Sequence, residues 1–182
     1  MGRLVPITIG RAFFIFLCFI YACSCNKSPL AEYGEPFETI MQTDTSLFRS
    51  FNLGASPAEI KANEPKGLKE ETRDSSDNVD YLFYELSADS STSYTIAYYC
   101  PNNKLDNIET DIYLLNEPMA ADLFNSFKKY FEKKYGTAKT AGDFFEWTAN
   151  TRMGKANISL ADESATYKRG KLTLVIHDAS EE

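Results

Sequence analysis

A single histidine, a single tryptophan and four cysteines among 182 residues leave little material for site chemistry. No CxxC pair and no cysteine–histidine spacing occurs, so the ligand pattern of zinc is missing. Nor is there a GxSxG elbow or a phosphate-cradling glycine loop. His177, the one imidazole, shares a parity with Thr173 and Val175 near the end of a predicted strand. There it reads as an exposed or hydrogen-bonded strand residue rather than a base. The convergent polar groups of an active site are not legible, so the reading is non-enzymatic, with no metal and no cofactor. Basic residues are also in deficit: 19 Lys and Arg stand against 26 Asp and Glu, a net charge of −7. Such a chain repels a phosphate backbone, which excludes nucleic acid as a partner. It gains nothing from anionic headgroups either. Long hydrophobic runs are lacking too. The uncharged apolar run Ala12–Ala22 has 11 residues, well short of the about 20 that a spanning helix needs.

What is present begins with that run. Arg3 and Arg11 precede it and small residues follow, the layout of an export signal. Ile20-Tyr21-Ala22-Cys23 then resembles the lipobox of bacterial lipoproteins: aliphatic, variable, small, cysteine. The resemblance implies cleavage before Cys23, with acyl chains of the palmitate class on its thiol and new amino group. Residues 1–22 are then the signal peptide, 23–36 a lipidated tether rich in Ser, Asn, Pro and Gly, and 37–182 one domain. Ser24 follows the lipidated cysteine where an aspartate would retain the protein at the inner membrane. By resemblance to lipoproteins of Gram-negative bacteria, this implies lipid attachment to the outer membrane of the cell envelope. Two of the basic residues and none of the acidic ones precede Cys23, so the remaining chain carries 17 basic against 26 acidic residues, a net of −9. Membrane attachment must therefore come from the acyl chains, several of which hold firmly where one binds marginally.

Cys18 leaves with the signal, and Cys25 and Cys100 are left. An exported compartment would allow them to pair. Cys25 falls in the tether and Cys100 ends a strand, which favours a buried, inert thiol at Cys100.

Residues 37–52 hold Phe37, Ile40, Met41, Leu47, Phe48 and Phe51 with no clean period. A sharp helix start follows: Ser56 as N-cap, Pro57 at the first helical position and Glu59 to complete a capping box. Pro65 and Gly67 end that helix. Three strands are predicted next, at 81–86, 94–100 and within 105–115, joined by polar turns. A second helix begins near Pro118, with Asn116 as cap. Leu123, Phe127, Tyr130 and Phe131 lie on its apolar face, and Gly136 ends it. Three more strands follow, at 143–149, 155–161 and 171–178. The pattern predicts an α+β fold: tandem αβββ units with halves 53–115 and 116–178. They would form one antiparallel sheet of about six strands with two helices on one face.

The Leu53-Gly54-Ala55-Ser56 start of a short helix before strands resembles the small lipoprotein of the outer-membrane β-barrel assembly machine. The doubled unit resembles the β-lactamase-inhibitor-protein fold. Both resemblances imply a binding or assembly role rather than catalysis. The expected function is therefore a membrane-anchored module that binds an envelope protein. The rival is a small-molecule-binding or sensing lipoprotein with a groove between sheet and helices.

Two further groupings have the composition of chemical sites. Residues 74–80 (DSSDNVD) lack the glycine and alternating ligands of a calcium loop and read as a solvated turn. Glu109 and Asp111 sit two apart on a strand, and read as acids on a polar sheet face. Strand parity points Leu82, Tyr84, Ile96, Tyr98, Ile108, Ile112, Phe145, Trp147, Ile158, Leu160, Leu174 and Ile176 beneath the helices. The opposite parity carries Phe83, Tyr99, Tyr113 and Phe144 beside Glu85, Glu109, Asp111 and Glu146. These four aromatics are the candidate partner-binding residues, since contiguous exposed aromatics mark interaction sites. The competing expectation is that residues 37–51 fold across and cover them.

Overall fold

The computed structural model describes Gly2 and residues 28–64 and 66–179. Cys23, Cys25, the leader and Pro65 lie outside them. After a 3₁₀ turn at Ala31–Tyr33 the order is α1 (Glu35–Met41), α2 (Pro57–Asn63), then four strands: β1 (Leu68–Arg73), β2 (Val79–Ser87), β3 (Thr92–Tyr99) and β4 (Asn107–Leu114). A second round follows: α3 (Glu117–Tyr135), β5 (Lys139–Ala141), β6 (Phe144–Thr151), β7 (Gly154–Asp162), the short α4 (Ser164–Tyr167) and β8 (Gly170–Asp178). All eight strands form one antiparallel sheet in the order β1-β2-β3-β4-β8-β7-β6-β5. Each round is thus a helix and a four-stranded meander, and the two meanders join through their last strands. Ile108 faces Ile176 and Ile112 faces Leu172 across that seam.

This corrects the expected six strands and two helices. Among the described residues the sheet has eight strands, and three helices have at least seven residues. The two unforeseen strands, β1 and β5, are the sheet edges. β1 (LKEETR) is mostly charged and exposed, and β5 is three exposed residues. Short, charged edge strands discourage pairing with another chain, and for that reason they lack the apolar alternation by which strands are found.

The predicted inward parity lies on the covered face, and of those twelve residues all but Phe145 are buried. The long α3 presents Ala120, Leu123, Phe127, Tyr130 and Phe131 to this face. Its cap is made by Asn116, whose side chain accepts from the Met119 amide. Residues 30–53 cover the same face over β2 and β3: Phe37, Phe48 and Phe51 join Tyr84, Tyr98 and Phe127 in one core. They do not cross to the opposite face, so the expectation that they cover the candidate aromatics is overturned. Leu30 and Tyr33, inside the stretch read as tether, are buried as well.

A buried ion pair fastens this segment down. The Arg49 guanidinium grips the Glu64 carboxylate through Nε and Nη2, and its Nη1 donates to the carbonyls of Thr39 and Ile40 and to the Tyr94 hydroxyl. The Tyr98 hydroxyl donates to the same carboxylate at 3.1 Å. Burial opposes the Arg49 charge, but the Glu64 bonds outweigh it and raise the guanidinium above its ordinary value.

The start of α2 is a complete capping box: the Glu59 amide donates to Ser56 Oγ at 3.3 Å and the Ser56 amide donates to the Glu59 carboxylate at 2.7 Å. Those bonds hold Glu59 below the usual carboxylate range. Ser56→Ala should therefore destabilise the fold by about 1 kcal/mol. The check is a lowered urea midpoint with an unchanged slope.

Candidate functional site

The face opposite the helices carries the odd-numbered residues of β2, β3, β4 and β8 and the even-numbered residues of β6. One corner of it is roofed. Residues 163–169, including α4, fold back over Lys171, which is 6% exposed. Its ammonium donates to Glu163 at 2.7 Å, reaches Asp111 at 3.2 Å and lies 4.2 Å from the Tyr167 ring centre. The Thr173 hydroxyl lies within hydrogen-bond distance of both carboxylates, 2.7 Å from Glu163 and 2.9 Å from Asp111, and its one proton serves either. Burial works against the Lys171 charge, yet the two acids outweigh it and raise the ammonium well above its ordinary value. An amine held protonated in this way is neither nucleophile nor base. The constellation therefore pins α4 to the sheet.

The four candidate aromatics are not one site. Phe83 and Tyr99 lie on neighbouring strands, and Tyr81, on the same parity, joins them. The Tyr81 ring stacks 6.3 Å from Phe83 and lies 5.2 Å from Tyr99. Tyr113 is elsewhere. Tyr99 pairs with Asn107, and Tyr113 is six positions further along β4, about 20 Å at strand rise. There the Arg169 guanidinium covers its ring at 4.7 Å, so Tyr113 is part of the roofed corner. Phe144 sits at the far edge, opposite Ala141 of β5.

The cluster that remains is Tyr81, Phe83 and Tyr99, all half-buried. Acids border it. Glu70 lies opposite Phe83 in the β1–β2 register, and the Tyr99 hydroxyl donates to Glu109 at 3.2 Å. Burial first, then Glu70 and Glu109, raise the Tyr81 phenol; burial and Glu109 raise Tyr99. Both therefore remain neutral hydroxyls at physiological pH. Beside the cluster, Ala97 faces Phe83 on one side and Glu109 on the other, and Glu109 faces Val175. Three rings beside Ala97 and Val175 can bury apolar area against a partner and offer hydroxyls and the Glu70 and Glu109 carboxylates to it. Tyr81 was missed from sequence although it stands two residues from Phe83; parity alone contained the signal.

The remaining sequence candidates resolve as structural. Cys100 is 0% exposed and burial pushes its thiol up to about 12. Asp74 accepts from the amides of Ser76 and Asn78 and closes the β1–β2 turn. His177 sits half-buried between Asn107 and Asn157 in the strand register. Among the described residues no group of three or more His, Cys, Asp or Glu could hold a metal, and no helix is long and apolar enough to cross a membrane. No protein-family model, curated protein or solved structure matches this chain.

Proposed function

We propose that the chain is a lipid-anchored envelope protein that binds another protein through the open part of its sheet, without catalysis. The observation that carries this reading is the cluster of Tyr81, Phe83 and Tyr99. Three aromatic rings pack on one another outside the core, beyond the reach of α4, on the face that α3 and residues 30–53 leave bare. Tyrosine in such a position supplies contact area at low entropic cost and is enriched in binding hot spots. The Glu70 and Glu109 border, on a chain of net −7, suits a partner surface with basic residues. The double variant Tyr81→Ala with Tyr99→Ala tests it. Partner recovered by co-purification should fall more than tenfold, the effect of losing a hot spot worth about 2 kcal/mol. The urea midpoint should move little. A stability loss of several kcal/mol would mean the rings are core and would end the proposal.

The anchor rests on Ile20-Tyr21-Ala22-Cys23 and the run before it, and its outer-membrane placement on Ser24. Cys23→Ser should leave an uncleaved, unacylated precursor, read by mass spectrometry of the native N-terminus. Cys25→Ser should be processed normally. A mature chain of the parent protein that starts elsewhere, without acyl mass, would contradict the anchor.

A further inference from the structure

A groove of about 800 Å³ opens where the loop 45–55, the end of α3 and the β6–β7 turn meet. That volume is in the range of small-molecule sites. Phe51, Leu53, Tyr135 and Met153 give it apolar walls. Met153 is 54% exposed and lies over Gly54, where a Cβ would come within 3.2 Å of its side chain. The turn and the loop are therefore fitted to each other, and the space beside them is not a gap between loosely related parts.

Its charge is unlike that of the rest of the molecule. Lys134 and Arg152 line it, and its one acid, Glu59, is spent in the capping box. Lys134 is also only partly compensated. Its three hydrogens go to neutral acceptors: the carbonyls of Asp44 at 2.8 Å and Ser46 at 3.0 Å, and the Tyr130 hydroxyl at 2.8 Å. Among the described residues no carboxylate lies within salt-bridge distance of it. Burial lowers its ammonium below the ordinary value, with Asp44 as only a partial counterweight. Ser46, on the same lining, keeps a buried hydroxyl without a hydrogen-bond partner. A cation whose hydrogens all go to neutral groups keeps its charge available to an external anion. Since the donors of Lys134 are already used, it would act through its field. The Arg152 guanidinium, exposed on the opposing turn, would supply the paired hydrogen bonds that suit carboxylate or phosphate.

We propose that this groove binds a small anionic amphiphile, its carboxylate or phosphate between Arg152 and Lys134 and its apolar part against Phe51, Tyr135 and Met153. The site is independent of the protein-binding face. The test uses the full mature chain in an uncharged detergent, titrated below the detergent's extraction limit with octyl phosphate, octanoate, octanol and inorganic phosphate, and read by amide chemical shifts. Octyl phosphate and octanoate should perturb residues 45–55 and 150–153 together and saturate. Octanol and inorganic phosphate should bind at least tenfold more weakly, the first lacking the charge and the second the tail. Arg152→Gln, an exposed change away from the core, should weaken octyl phosphate about tenfold with the thermal midpoint unchanged. Equal binding of octanol, equal binding of inorganic phosphate, or an unaltered affinity in Arg152→Gln would overturn the proposal. To separate a soluble ligand from a lipid headgroup, vesicles with and without phosphatidylglycerol complete the set. Shifts at residues 150–153 only with the anionic vesicles assign the anion to a membrane lipid, and shifts with neither assign it to a soluble amphiphile.

Discussion

Replacing Arg49 by methionine should cost the fold about 3–5 kcal/mol, because it leaves the buried Glu64 carboxylate without its partner. Arg49 and Glu64 are 2% and 4% exposed, so solvent cannot take over. The guanidinium also satisfies the carbonyls of Thr39 and Ile40 and the hydroxyl of Tyr94, and each orphaned group adds to the loss. Removing the second charge should undo only the part owed to the unpaired carboxylate, since the carbonyls of Thr39 and Ile40 and the hydroxyls of Tyr94 and Tyr98 still lack their partner. Arg49→Met with Glu64→Leu replaces the ion pair with apolar groups of similar volume, and should be less destabilised than Arg49→Met alone. Urea denaturation of the two variants checks this. Equal destabilisation of single and double variants would mean that packing, rather than the unpaired charge, sets the cost.

Phe37→Ala should lose a comparable amount, about 3–5 kcal/mol for a buried phenylalanine. Phe37 is 0% exposed, and its ring meets Tyr33 at 5.0 Å, Phe127 at 4.8 Å and Tyr130 at 5.1 Å. The last two belong to α3, so the substitution tests whether the segment before α2 is structurally part of the domain. The denaturation midpoint measures it. An unchanged midpoint would make residues 30–53 an appendage on a core complete without them.

Much of this fold is legible in the chain because its signals are local. The Ser56–Glu59 box and the Asn116 cap mark helix starts by hydrogen bonds that involve only neighbouring residues. Alternation in β2, β3, β4, β6, β7 and β8 marks which residues go under the helices. What was hidden depends on distant partners. Leu68–Arg73 becomes a strand because β2 offers it a ladder, not because its own residues prefer one. Phe37 lies in the seven-residue α1 and Phe48 and Phe51 flank a turn closed by their own bridge, so no single period runs through them. The candidate site failed in a related way. Alternation assigns a residue to a face but not to a place on it, so it groups Phe83 and Tyr99 with Tyr113 and Phe144, which strand register places elsewhere. Only register shows that Tyr81 belongs with Phe83 and Tyr99, and that α4 roofs Tyr113. The groove was equally hidden, since loop 45–55 and the β6–β7 turn are about a hundred residues apart in the chain.

The central claim, that the open face beside Tyr81, Phe83 and Tyr99 is where a partner protein sits, can be tested directly in intact cells. A photo-cross-linking phenylalanine analogue is placed at position 83 and, separately, at position 148. Thr148 is exposed on the same face of the other half. The account predicts one discrete adduct of a single partner from position 83, abolished by Tyr81→Ala with Tyr99→Ala, and none from position 148. No adduct from position 83, or the same adducts from both positions, would contradict it.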